Sequence, residues 1–384
     1  MKHSFYHLIT LVFATIFLIQ CDSSTESSDY SSFVATLGKD TMVIERIKMM
    51  QNEVHAEVLI RTPRTRYSKQ HLITGDDDNF ISYISETYDP SDLEGDAILV
   101  TKMEIEGDSL VIRNKRDTSE QISKIKYDPS IVPWIDMVHW PYQLVTERMV
   151  ASQEKKADQN MLAGRRARIF EFRSVGEDSV SIKHPSRGTM MARIDGNGAI
   201  LTHDATQTTR KLIVKRGVDL DIKSLAEYYA DKPIGSLSGA GSSESTVHGA
   251  TIKLTFGQPA RRGRELFGGI VPWNERWRTG ANRATHITTD KDLKIGDLDM
   301  PAGEYTLFTI PAPDGGTLII NKQTGQNGRS YDEARDLGRV PMKLVENSES
   351  IELFTIDAIE RGEDGVLQLK WGETIFEVEF QVGG

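Results

Sequence analysis

Most of what would announce a chemistry is missing from this chain. It has one cysteine in 384 residues, which excludes an internal disulfide and a zinc site built on thiolates. Neither a Gly-x-Ser-x-Gly elbow nor the Lys-Ser/Thr of a P-loop occurs, so the usual marks of a serine hydrolase or a nucleotide-binding loop are absent. Beyond Leu8 to Ile19 no apolar run approaches the roughly 20 residues of a membrane-spanning helix. Excess positive charge is lacking too. The formal net charge is -10, which makes the chain a poor polyanion binder, and nucleic acid is not an expected partner. His55, His71, His139, His184, His203, His248 and His286 show no spacing that sets two on one helix face or on one side of a strand. No metal and no cofactor are therefore expected.

The one cysteine closes the one apolar run. Lys2 precedes Leu8 to Ile19, and Leu18-Ile19-Gln20-Cys21 leads into a polar stretch. Residues 1–21 read as a signal peptide, too short to span a bilayer. The segment resembles the lipobox of bacterial lipoproteins, with Leu18 in place and Gln20 where a small residue is usual. That resemblance implies lipidation of Cys21, attachment to a membrane through lipid alone, and an address in the cell envelope as an outer-membrane lipoprotein. Several acyl chains meet the requirement that stable anchoring needs more than one. Residues 22–32 carry Ser, Thr, Asp and Glu, the composition of a flexible tether.

From Phe33 onward the pattern is short alternating runs separated by turn signals. Glu53 to Ile60, Phe80 to Ile84, Lys102 to Ile105, Leu110 to Ile112, Ala167 to Phe172, Ser179 to Lys183, Met190 to Ile194 and Lys211 to Lys215 read as strands. Glu106-Gly107-Asp108 and Asp195-Gly196-Asn197-Gly198 read as turns. Two helices are expected, Ile135 to Arg148, bounded by Pro133 and Pro141, and Leu225 to Ala230. The expected fold class is mainly β, with two antiparallel β domains. Residues 33–232 form a sheet or half-barrel with short helices, 233–245 a flexible Gly/Ser linker, and 246–384 a β-sandwich. The strand pattern of the first domain is loosely similar to exported half-barrels that hold apolar ligands, an analogy of architecture only.

In the second half, Gly263-Arg264-Glu265-Leu266-Phe267-Gly268, Val271-Pro272-Trp273, Trp277-Arg278-Thr279-Gly280-Ala281-Asn282 and Pro301-Ala302-Gly303-Glu304-Tyr305-Thr306-Leu307 resemble the DUF2911 domain. Asn321-Lys322 and Trp371 fit it as well. The family brings no established activity. What it implies is company, namely exported proteins and lipoproteins of Bacteroidota.

Arginine is dense where that resemblance lies. Arg261, Arg262, Arg264, Arg276, Arg278 and Arg283 sit beside Trp273, Trp277 and His286. Guanidinium groups bond carboxylates and phosphates in pairs and stack on aromatic rings. Arg264, Trp277, Arg278, Asn282 and His286 are thus the candidate ligand-binding residues, for an anionic or carbohydrate-like molecule; the competing reading has the arginines paired with Glu265 and Glu275 while Trp277 packs a core. Acidic loops at Asp76 to Asn79 and Asp89 to Asp96 lack the spacing of a calcium loop and read as turns. Trp134, His139, Trp140 and Tyr142 read as a core plug, with an apolar pocket as the alternative. The function expected is a noncatalytic binding protein of the envelope, for a small ligand or a protein partner. Two alternatives stand: a hydrolase of envelope or extracellular polymers working through Glu265, Glu275 and His286, and an apolar-ligand carrier using the first domain.

Overall fold

A computed structural model describes residues 30–383; the leader with Cys21 and nearly all of the expected tether lie outside the described residues. Ordered structure begins slightly earlier than expected, with a strand at Ser31–Leu37. Ser32 is fully buried, and its hydroxyl accepts the Leu220 N–H at 3.1 Å.

Residues 31–217 build one fifteen-stranded sheet. Its order follows the chain backwards from Ser119–Lys126 at one edge to Ser31–Leu37, then crosses to Ile213–Gly217 and again runs backwards to Lys156–Ala163 and Val132–Pro133. All neighbours are antiparallel except the last pair. Hairpins explain this order, because each turn signal returns the chain beside the strand it has just left. At Glu106-Gly107-Asp108 the strands pair Glu106 with Ser109, and Gly107 takes the positive φ of 64° that the tight turn needs.

The sheet wraps around helix α1 (Trp140–Ala151). Leu110 and Ile112 from one end and Phe170 and Phe172 from the other share one core cluster with Trp140, Tyr142 and Val145. In a flat sheet those strands would stand about 50 Å apart at about 4.8 Å per strand, so the sheet must curl into a half-barrel with α1 inside. Alternation along Asp40–Met49 serves both faces. Val43 and Ile47 turn toward α1, while Ile44 turns to the opposite face and packs with Ile222 and Ala226 of helix α2 (Ile222–Tyr229).

Helix α1 starts five residues later than expected. Pro141 does not limit it but opens it, since the first turn has no use for the N–H that proline lacks. Its N-terminal amides are satisfied from the sheet. Glu45, fully buried, accepts the backbone N–H of His139 at 2.8 Å and of Trp140 at 3.0 Å. Gly198 lets the Asp195 turn touch the helix, where a Cβ would fall 2.5 Å from the Thr146 carbonyl oxygen. Trp134, His139, Trp140 and Tyr142 are all buried in this core, the plug rather than the pocket.

The second domain is a nine-stranded antiparallel sheet folded on itself. The long strands Asp336–Arg361 and Asp364–Val382 bend back over Ser238–Val247 and Ala250–Pro259. Phe256 meets Phe354 edge-on at 5.8 Å, and the Ser243 hydroxyl donates to the Ile356 carbonyl at 2.6 Å. The result is the expected sandwich, with Trp371, Phe376 and Phe380 in its core.

The linker expected over 233–245 is corrected by this sheet. From Ser238 the Gly/Ser run is an edge strand in continuous register with Ala250–Pro259. Small residues are there for closeness, not freedom: a Cβ on Gly241 would fall 2.4 Å from the Phe256 ring. The short connection before it is tied down as well, with Ile234 N–H donating to Arg61 O at 2.7 Å and the Thr62 hydroxyl to Gly235 O at 2.7 Å. No free hinge separates the domains. They meet where Lys39 N–H donates to Arg262 O at 3.0 Å and the buried Arg262 guanidinium pairs with Asp40.

Candidate functional site

Between the two domains lies a cleft of about 610 Å³. Arg264, Trp277, Arg278 and Asn282 line it from the second domain; Arg66, Asp136, Arg210 and Lys211 line it from the first.

The segment after Ala250–Pro259 carries the second-domain residues, and its motif holds it rigid. Trp277 and Thr309 exchange backbone hydrogen bonds of 2.7 and 2.9 Å, pinning the loop to the strand Gly303–Ala312. Thr279, fully buried, bonds the Thr309 hydroxyl at 3.1 Å, and its carbonyl accepts the Thr285 hydroxyl at 2.6 Å. Its φ of 54° is an expensive conformation for a β-branched residue. Gly257 permits the crossing beneath, where a Cβ would overlap the Ala281 carbonyl oxygen at 1.6 Å. Trp277 lies parallel to the buried Trp371 at 6.0 Å and edge-on to Phe354 at 5.1 Å. Thr279, Gly280 and the inner side of Trp277 are therefore architecture. What they present to the cleft is Arg278.

Neither of the competing readings of the arginines holds for all of them. Arg261 pairs with Glu373, Arg262 with Asp40, and Arg276 lies over the Tyr331 ring at 4.0 Å; the partners are not Glu265 and Glu275. Arg264 spends its guanidinium on the carbonyls of Arg261 at 3.0 Å and Ala260 at 2.6 Å and makes no ion pair among the described residues, the carboxylates of Glu352 and Asp40 acting on it only at longer range. The side chain of Arg278 makes no hydrogen bond or ion pair among the described residues. Its stem packs against Gly328, where a Cβ would lie 2.6 Å from the Arg278 Cδ.

The cleft is electrostatically one-sided. Asp136 is the one carboxylate among the lining residues, and it is already shared by Arg187 and Arg210. Burial works to raise its carboxyl, but the bonds from the two guanidiniums prevail and hold it below the usual range. Lys211 is lowered by burial, then by the charges of Arg264 and Arg278 across the cleft. Arg278 is lowered by burial, then by Arg329. Like charges facing each other across the cleft disfavour one another's charged forms.

His286 stands apart from the other candidates. It lies on Thr285–Thr289, and its Nε2 accepts the Gly325 N–H at 3.1 Å, bracing the loop whose Gly328 supports Arg278. It does not line the cleft, and neither do Glu265 and Glu275. Asn282 does so, exposed, with its amide 3.4 Å from Ser238 O. Sequence reasoning missed Lys211, Arg210, Asp136 and Arg66 altogether, since no local pattern links residues of one domain to a loop of the other.

One reading of the histidines is corrected. His55 and His71 are direct cross-strand partners on Glu53–Ile60 and Arg66–Thr74, stacked at 4.1 Å, and both reach the Glu53 carboxylate. The signal lay in the pairing register of two strands, which spacing within one strand does not reveal.

A second depression, of about 500 Å³, lies on the second domain over Val340–Lys343 and Glu377–Gln381. Its lysines, Lys294 and Lys343, are balanced by Asp364, Glu377 and Glu379, so it has no comparable charge preference.

No curated protein matches this chain. Among solved structures, a DUF1089 family protein from Pseudomonas aeruginosa is similar at 8% identity and a TM-score of 0.30, over 43% of this chain and 90% of that one. A β-barrel-like protein of domain of unknown function DUF1849 from Brucella abortus is similar at 8% identity and a TM-score of 0.30, over 49% of this chain and 94% of that one. Residues 238–380 match the family described as protein of unknown function (DUF2911), with a first residue that is also the first of the edge strand Ser238–Val247. The second domain of this chain belongs to the DUF2911 family.

Proposed function

We propose that this chain is an envelope protein, lipid-anchored through Cys21, whose interdomain cleft binds a small anionic ligand with a carbohydrate-like body. The observation that carries the reading is the meeting of Lys211, Arg264 and Arg278 from two domains with no free carboxylate between them. An anion there gains charge-assisted hydrogen bonds from groups that otherwise repel one another. Trp277 adds a ring at the cleft wall, and the cleft volume suits a molecule of sugar or sugar-phosphate size. Binding is preferred over hydrolysis in this cleft because none of Glu265, Glu275 and His286 lines it. An apolar cargo inside the first domain is less favoured: the cavity beside α1, between Trp134 and Leu212, is about 20 Å³, room for about one water.

The test is a thermal-shift series on the full chain with glucuronate, glucose 6-phosphate, inorganic phosphate and, as the neutral control, glucose. The anions should raise Tm in a concentration-dependent way that glucose does not match. Arg278→Ala should abolish the shift, and added salt should weaken it. Equal shifts with glucose, or shifts that survive in Arg278→Ala, defeat the reading.

A further inference from the structure

We infer that Glu53, His55 and His71 form a divalent-metal site on the first domain, of the zinc class and open to solvent on its fourth side. The site is independent of the interdomain cleft, none of its residues lining that cleft.

Strand register builds it. His55 and His71 are opposite each other in the antiparallel pair Glu53–Ile60 and Arg66–Thr74, and Glu53 precedes His55 by two residues on the same face. The two imidazoles stack at 4.1 Å with 20° between their planes. Each Nε2 is turned to the same oxygen, the Oε2 of Glu53, at 3.1 Å from His55 and 2.9 Å from His71. All three donor atoms lie within 4.8 Å of one another.

Those lengths are ordinary hydrogen-bond lengths, and they also place the three donors close to the spacing that one ion needs. A tetrahedral ion with bonds of about 2.0–2.1 Å has ligand-to-ligand edges of about 3.3 Å. The two Nε2-to-Oε2 edges are already within about half an ångström of that length, and they share the corner a carboxylate would occupy. Two imidazoles and one carboxylate are also a donor set that suits zinc, copper, nickel or iron and disfavours calcium and magnesium. Three protein ligands leave one position for water or a further group, which is how open zinc sites are made.

The charged neighbour on the adjoining strand does not close the position. Lys48 pairs with His55 in the sheet, but its ammonium lies over the Tyr30 ring, 5.8 Å from the centroid. The side chains themselves are open: 41% of His55, 31% of His71 and 43% of Glu53 remain exposed, enough for an ion to enter without unfolding the sheet.

The experiment is isothermal titration of zinc chloride into the full, untagged chain near neutral pH. His71→Ala and Glu53→Gln are the test variants, and His248→Ala, a substitution at an exposed histidine outside the cluster, is the control. One zinc per chain should bind to the parent and to His248→Ala. His71→Ala and Glu53→Gln should each weaken that event by at least the roughly 10–100-fold that loss of even an outer-shell partner costs a metal site. If no zinc binds at about 100 μM, or if both variants bind as the parent does, the site is not there. Circular dichroism on each variant separates loss of ligand from loss of fold, and retention of sugar-acid or phosphate shifts in these variants separates this site from the cleft.

Discussion

His139 donates its backbone N–H to Glu45 at 2.8 Å, and its ring Nδ1 sits 2.9 Å from the same carboxylate. A fully buried acid on a central strand thus supplies the N-terminal cap that helix α1 does not provide for itself. Leaving several buried donors without an acceptor is among the costlier things a substitution can do. Glu45→Ala should destabilise the protein by about 2–5 kcal/mol, because it strips the acceptor from two buried backbone donors at once. Glu45→Gln, which keeps one acceptor oxygen, should cost less. Urea unfolding followed by tryptophan fluorescence measures both.

His203 is buried beside His139, rings edge-on at 5.3 Å, and neither of its ring nitrogens has a hydrogen-bond partner among the described residues. Burial, then the neighbouring His139, pushes its pKa well below the ordinary value. His184 is pushed down to about 4, by burial first and then by Arg187. Both are neutral in the folded state but protonate near 6.5 once unfolded. The unfolded chain therefore binds more protons between about pH 6.5 and 4, and stability must fall as pH drops through that window. Above it the two groups contribute no pH dependence. His203→Leu should flatten the decline, by up to about 1.4 kcal/mol per pH unit for one proton. Parallel urea titrations at pH 7.5, 6 and 5 check the slope; equal slopes in parent and variant would remove His203 as its source.

The domain contact depends on Gly38. Its φ is 60°, and a Cβ there would stand 2.1 Å from the Arg262 carbonyl oxygen. Gly38→Val combines a backbone penalty with a collision and should force the domains apart at this contact. Differential scanning calorimetry should show a single transition in the parent and two in the variant. An unchanged trace would mean that the docking does not rest on this turn.

Edge strand Ser238–Val247 is composed like a linker and paired like a sheet. Hydrogen exchange distinguishes the two directly. Amides of this strand that pair with Ala250–Pro259 should exchange far more slowly than those of Gly196 and Asn197 in an exposed turn. Gly241→Val should abolish that protection by driving a side chain into the Phe256 ring.

These relationships mark where local reading ends. The mainly β class, the Glu106 and Asp195 turns and the two short helices follow from alternation and from turn residues, which are properties of neighbours in sequence. Pro141 was misjudged because a proline ends a helix or begins one according to where the first turn falls, and Glu45, far away in the chain, helps decide that. Gly241 departs from the linker reading for a similar reason: glycine signals freedom unless something is packed upon it, and here the Phe256 ring is.

The sequence by itself determined a β-rich chain with one thiol, an acidic balance, and an arginine-dense loop whose Trp277-Arg278-Thr279-Gly280-Ala281-Asn282 run marks the family of the second domain. Only the tertiary structure decided which arginines gain a direct ion pair, because a guanidinium is paired by whatever carboxylate packing delivers, and Asp40 and Glu373 come from elsewhere in the fold. It alone set Lys211 opposite Arg278 and His55 against His71. Charge acts through space and hydrogen bonding through register, and neither distance is written in the spacing of residues along a chain.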